Sequence, residues 1–138
     1  MKNSISYLFC LIIIGCTVPE SDKLPFGEGS RYPHLTKNYS GGLLVSWFEP
    51  VDSTTFGLFW SEYDKGVWSK PGLIYSSGDF FINWADFPSI FHFRDSVFVA
   101  HWPEMSSTGT YDYDVKLAFS MDRGLSWSDP IIPHRDGK

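Results

Sequence analysis

The chain has 138 residues, of which 18% are aromatic and 20% are charged, and its formal net charge is -5. This length suits one modest domain, and the aromatic content is typical of a packed core rather than of a disordered chain. The Lys and Arg residues are scattered singly and form no basic cluster that would neutralise phosphates, which excludes nucleic acid as a partner.

The first predicted element is a targeting segment over residues 1–15. Lys2 supplies a positive charge, residues 7–14 form a short apolar run, and Gly15 precedes Cys16. The run is too short for a permanent transmembrane helix. The sequence "IIGC" resembles a bacterial lipobox, so Cys16 is expected to become a lipidated N-terminus in the bacterial cell envelope. An ordinary signal peptide and an incidental cysteine remain alternatives.

Residues 16–30 are expected to follow as the lipidated cysteine and a flexible tether. They are polar, contain two prolines and two glycines, and show no periodicity. Cys10 would be removed with the targeting segment, so the mature chain would form no disulfide and its fold would depend on packing alone.

From Arg31 onward, short apolar runs alternate with turns, and two stretches are self-similar. Residues 42–50 resemble 96–104, and residues 58–74 resemble 117–133. The predicted strands are 32–36, 42–48, 56–61 and 72–75 in the first unit, and 88–93, 96–102, 114–120 and 129–133 in the second. Four antiparallel strands per unit are typical of a propeller blade, so an all-β fold with about two blades is predicted over 31–138. The alternative is an aromatic-rich β-sandwich.

Between the last two predicted strands lies the turn "SMDRGLSW", which begins at Ser120. Asp122 is expected to accept hydrogen bonds from backbone N–H groups further along the turn. Gly124 supplies a left-handed backbone position without a Cβ penalty. Ser126 can bond back across the turn, and Trp127 is large enough to cover it. The pattern predicts a stable hairpin.

Within a propeller, this turn resembles the Asp box of bacterial neuraminidase (BNR) repeats. Residues 30–47 are similar to the opening of sialidases, in which an Arg-x-Pro motif, here Arg31 and Pro33, starts the innermost strand of the first blade. Residues 83–90 and 109–137 resemble bacterial exo-α-sialidase-like lipoproteins. The resemblance covers almost all of the chain after the tether. It implies a propeller that is six-bladed when complete, and a glycoside hydrolase acting on terminal sialic acid or related glycans at the cell surface.

The resemblance also implies roles for individual residues on the ligand face, opposite the Asp box. Arg31 would help to clamp the substrate carboxylate through a bidentate contact. Asp52 is the candidate acid/base, with Glu49 as its competitor. Asp86 would orient a ligand hydroxyl or amide, and Trp84 would stack on a sugar ring. The alternatives are a surface arginine paired with a nearby acid, plain solvated carboxylates, a turn-forming acid and a buried tryptophan.

The chain also departs from the family pattern. Tyr32 stands where sialidases have an aliphatic residue, and the Tyr nucleophile, its Glu partner and two further arginines cannot be assigned. Residues 17–138 are therefore expected not to cleave sialosides by themselves. The four histidines show no metal-ligand spacing, and no cofactor is expected. Three functions remain open: a hydrolase seen as its N-terminal part, a glycan-binding propeller without catalysis, and a structural propeller.

Overall fold

A computed structural model of the chain describes residues 23–134, and all regular secondary structure in that range is β. The strands are β1 (Arg31–Lys37), β2 (Leu43–Pro50), β3 (Phe56–Asp64), β4 (Val67–Trp68), β5 (Gly72–Ser77), β6 (Ser89–Arg94), β7 (Val97–Met105) and β8 (Tyr113–Ser120). The predicted all-β class is confirmed. The predicted targeting segment and Cys16 lie outside the described residues. Across residues 23–134, no helix is long and apolar enough to cross a membrane.

The first sheet contains β1 to β5, all paired antiparallel. Its order is β1-β2-β3-β4, and β5 also pairs with β3. Because β2 occupies one edge of β3, β4 and β5 share the other edge. There β4 pairs with the end of β3 at Tyr63 and Asp64, and β5 pairs with its beginning between Phe56 and Trp60. Sheet one therefore has four strand positions, the last of which is interrupted.

The second sheet has three strands in the order β6-β7-β8. The strand predicted over 129–133 is wrong, because only a single bridge forms there. The Leu117 N–H donates to the Ile131 carbonyl at 2.9 Å, and the Ile131 N–H donates back at 2.8 Å. On one side of the bridge, Pro133 has no N–H group to donate to β8. On the other side, the Ser128 N–H donates to the Phe119 carbonyl at 2.8 Å, one residue out of register with the bridge, so no regular ladder forms. The described strands form no closed barrel.

The core lies between the two sheets, which face each other. Its fully buried or nearly buried side chains are Leu44, Phe48, Leu58, Trp60, Ile74, Phe80, Ile90, Phe98, Ala100, Trp102 and Ala118. Trp60 meets Phe98 edge to face, with ring centroids 5.2 Å apart. At the margin of this core, the Ser46 hydroxyl donates to the Pro88 carbonyl at 3.0 Å, so β6 is fixed beside β2.

The sequence repeat is visible in the packing of the two sheets. Trp47 and Trp102 are equivalent, and both are fully buried. Trp102 faces sheet one within the core. In β2, the side chains of Leu44 and Phe48 also point into this core. Because successive side chains of a strand point to opposite faces, Trp47 points to the other side of sheet one. The two sheets therefore present corresponding faces in the same direction.

The turn after β8 forms the hydrogen bonds of a closed hairpin. The Asp122 carboxylate accepts the Ser126 N–H at 2.9 Å and the Ser126 hydroxyl at 2.6 Å. The Ser120 hydroxyl donates to Asp122 at 2.7 Å, and its oxygen accepts the Gly124 N–H, also at 2.7 Å. Trp127 is partly buried and packs against the core. The bonds to Ser126 and Ser120 lower the pKa of Asp122 from its ordinary value of 3.8 to about 2.

Asp122→Ala is expected to lower the melting temperature at neutral pH by several degrees, because the hairpin loses its acceptor. A carboxyl whose pKa is depressed on folding stabilises the fold above its unfolded pKa, and this contribution is lost as pH falls towards the folded pKa. The difference between wild type and variant should thus be full above pH 4 and shrink towards pH 2. Thermal melts from pH 7 to pH 2 test this, and a difference that stays constant with pH would contradict it.

Candidate functional site

One end of both sheets, here called the loop end, carries the five side chains to which the sequence assigned ligand binding or catalysis. It comprises residues 27–31, 49–56, 83–88 and 105–113. In sheet one, the pairing of Pro50 with Phe56 closes the β2–β3 connection at this end. In sheet two, the pairing of Met105 with Tyr113 closes the β7–β8 connection. The Asp122 hairpin lies at the other end of β8, so loop end and hairpin are separated by the length of a strand.

Arg31 lies at the loop end with its side chain exposed. Its guanidinium carbon is 5.3 Å from the centroid of the Phe56 ring, a cation–π contact that restricts the side chain without consuming its N–H donors. The next residue, Tyr32, has a φ of 51°, and the β1–β2 register shifts immediately after Arg31. Such a bulge changes the direction in which a side chain points. The backbone at Arg31 is thus bent away from a regular strand.

The Asp86 loop lies against β1 at the loop end, since Tyr32 contacts Phe87 with ring centroids 6.4 Å apart. Within the loop, the Asn83 side chain accepts the Asp86 N–H at 3.0 Å and donates to the Asp86 carboxylate at 2.9 Å. Trp84, at the tip, is 81% exposed, which excludes a buried position for it. Asn83 therefore closes the loop by hydrogen bonds, and the indole of Trp84 is exposed at the tip.

Glu49 is used to fasten the segment that precedes β1. One of its carboxylate oxygens accepts the Gly27 N–H at 2.8 Å, the Ser30 hydroxyl at 2.8 Å and the Trp47 indole N–H at 2.9 Å. Phe26 packs on Trp47 with ring centroids 5.1 Å apart. Residues 26–30, which the sequence assigned to a tether, thus lie against β2.

These contacts also decide the protonation of Glu49. Burial raises its pKa, but the hydrogen bonds from Trp47, Ser30 and Gly27 together hold the pKa below its usual range. A general acid needs the opposite shift, because it must carry a proton near neutral pH. The contacts of Glu49 favour a structural role.

Asp52 caps the β2–β3 connection. Its carboxylate accepts the backbone N–H groups of Thr54 and Thr55, both at 2.8 Å, and the Thr54 hydroxyl at 3.1 Å. The bond from the Thr54 N–H is the main reason that the pKa of Asp52 is lowered. This geometry is a turn of the kind that Asp commonly forms, and the pKa shift again opposes an acid role.

A polar cavity lies beside the β7–β8 connection. Its volume is about 500 Å³, and its walls include Tyr111, Asp112, Tyr113, Asp114 and His134. A His134 ring nitrogen lies 3.5 Å from the Asp114 carboxylate. The carboxylates make this cavity unfavourable for an anion.

Residues 23–134 contain no group of His, Cys, Asp or Glu side chains arranged to hold a metal ion.

Tyr75 lies near Glu104, a pair of residue types that sialidases use as nucleophile and base. Its pKa is raised by burial first, and then by the carboxylates of Glu104, Asp129 and Asp79. A nucleophilic phenol requires a lowered pKa or a base that takes up its proton. Among the described residues no hydrogen bond joins the Tyr75 hydroxyl to Glu104, and the Tyr75 pKa is raised, so these surroundings do not favour that role.

Comparison with known proteins does not identify a family for this chain. No protein-family model matches the sequence, and no curated protein is similar to it.

Proposed function

We propose that this chain forms two blades of a sialidase-like propeller whose loop end binds terminal sialic acid or related anionic glycans at the bacterial cell surface. The observation that carries the proposal is the Tyr32–Phe87 contact, which brings the strand that begins at the exposed Arg31 to the Asp86 loop with its exposed Trp84. The Asp122 hairpin, at the opposite end, would then be a purely structural Asp box.

The chemistry of these groups suits an anionic sugar. A guanidinium presents two parallel N–H groups that match the two oxygens of a carboxylate. Phe56 already restricts the Arg31 side chain, so less conformational freedom is lost when the ligand binds. The indole of Trp84 offers an apolar surface to a sugar ring. The Asp86 carboxylate, held by Asn83, is placed to accept a hydrogen bond from a ligand hydroxyl or amide.

The second candidate is a glycan-binding propeller that does not cleave its ligand. It is favoured by the lowered pKa values of Glu49 and Asp52 and by the raised pKa of Tyr75. In a hydrolase, the proton donor and the nucleophile would have to come from groups other than these three.

Arg31→Lys is expected to weaken the binding of α-methyl sialoside roughly tenfold or more, because an ammonium replaces the bidentate fork and a charged hydrogen bond is lost. Calorimetric titration measures the affinity. Arg94→Lys is the matched control, since Arg94 also lies over an aromatic ring, that of Phe93 at 5.6 Å, but at the far end of β6. Equal affinities for wild type and Arg31→Lys would contradict the proposal, as would an equal loss in the control.

Residues 17–138 are expected to show no turnover of a fluorogenic sialoside above the buffer background. The candidate acids are deprotonated at neutral pH, and the phenol of Tyr75 is protonated. The assay is run with a known sialidase as positive control and with near-UV circular dichroism to verify folding. Saturable turnover by the folded chain would contradict the prediction.

A further inference from the structure

The face of sheet two that points away from sheet one is apolar and only partly covered. In β7, Phe98, Ala100 and Trp102 point into the core. The intervening residues therefore lie on the outer face. That face carries Phe91, Val99, Val115, Leu117 and Phe119. Phe91 is 48% exposed and Val115 is 38% exposed.

The internal repeat shows what such a face packs against. Leu44 is equivalent to Val99 in β7, and Leu58 is equivalent to Leu117 in β8. Leu44 and Leu58 are both 0% exposed, because sheet two covers them. The outer face of sheet two is thus the counterpart of the sheet-one face that lies at the centre of the existing core. We therefore expect this outer face to pack against a surface that resembles the inner face of sheet two.

Such a surface exists on this chain, on the outer face of sheet one. Leu35, Val45 and Trp47 are the repeat equivalents of Ile90, Ala100 and Trp102, which form the inner face of sheet two. Phe26 covers Trp47, but an apolar groove of about 290 Å³ remains open beside it. Its walls include Leu24, Phe26, Leu35, Val45 and Trp68. Leu35 is 59% exposed.

We propose that a second copy of this chain docks on the outer face of sheet two, through the groove on the outer face of its own sheet one. The contact continues part of the existing interface between sheets one and two, because the exposed Leu35 is equivalent to Ile90, whereas Val45 and Trp47 are already covered by their own chain. It is heterologous, so each copy keeps one face available for a further copy, and the assembly either closes into a ring or extends. This inference is independent of the proposed glycan site.

The test is the mass of residues 17–138, which include every described residue, by analytical ultracentrifugation at micromolar concentration. Wild type is expected to sediment as a dimer or larger. Phe91→Glu and Leu35→Glu should each sediment as a monomer, because each places a charge on one of the two faces. Leu125→Glu is the matched control: Leu125 is 88% exposed on the Asp122 hairpin, so association should persist.

A mixture of the two monomeric variants distinguishes this proposal from nonspecific hydrophobic association. Phe91→Glu keeps an intact groove, and Leu35→Glu keeps an intact sheet-two face, so the mixture should form one-to-one dimers. Val115→Lys and Leu24→Lys repeat the experiment if near-UV circular dichroism shows that either first variant is unfolded. A folded wild type that stays monomeric, or a mixture that does not associate, overturns the proposal.

Discussion

Trp102→Ala is expected to lower the free energy of unfolding by about 3–5 kcal/mol, the usual cost of truncating a fully buried large aromatic side chain. Trp102 is 0% exposed, stacks on Tyr75 with ring centroids 5.1 Å apart and meets Phe80 edge to face at 6.2 Å. Removing the indole leaves a cavity between the two sheets, which are held together mainly by such contacts. Urea denaturation followed by tryptophan fluorescence measures the change.

Trp102→Phe is the matched control, and it should cost much less. The Trp102 indole N–H is buried and has no hydrogen-bond partner among the described residues. A buried, unpaired donor is unfavourable, so phenylalanine removes that penalty while keeping a ring against Tyr75. If Trp102→Ala and Trp102→Phe were equally destabilising, ring packing at this position would not be what stabilises the interface between the sheets.

Gly124→Ala is expected to lower the free energy of unfolding by roughly 2–5 kcal/mol, from the left-handed backbone penalty together with overpacking. Gly124 has a φ of 81°, and an added Cβ would lie 2.3 Å from Trp60 Cζ2. Trp60 belongs to sheet one, so the clash would separate the Asp122 hairpin from the other sheet. The same urea denaturation measures the loss.

Gly66→Ala separates the two contributions. Gly66 occupies the corresponding hairpin of sheet one with a φ of 89°, but nothing lies within 4 Å of its Cβ position. It should show the backbone penalty alone, about 1–2 kcal/mol. Equal losses at Gly66 and Gly124 would mean that the hairpin does not pack against Trp60 as the structure shows.

The strands and the hairpin could be predicted because their signals are local. Short apolar runs bounded by turn residues identify β2 and β7 as strands. The contacts of Asp122 span only a few residues, so a short motif contains them all. The strand predicted over 129–133 was wrong because its apolar composition outweighed Pro133, which cannot donate to β8, and because the register with β8 shifts at Ser128.

The state of the candidate acids could not be predicted, because it depends on partners that are distant in the sequence or on loop geometry. Glu49 is bound by Gly27 and Ser30, which lie 22 and 19 residues away from it. Nothing in the sequence around Glu49 indicates that the preceding segment folds back onto β2. The exposure of Trp84 depends likewise on the position of the Asp86 loop, since a tryptophan in a loop is compatible with either burial or exposure.

The most direct test of glycan recognition at the loop end is a titration of the ¹⁵N-labelled chain with α-methyl sialoside, followed by amide chemical shifts. Saturable shifts are expected at Arg31, Tyr32 and residues 83–87, with the hairpin at 120–127 unchanged. The methyl ester of the same sugar, which lacks the carboxylate charge, should produce much weaker shifts at Arg31. Shifts centred on the hairpin, or no saturable shifts at the loop end, would contradict the proposed function.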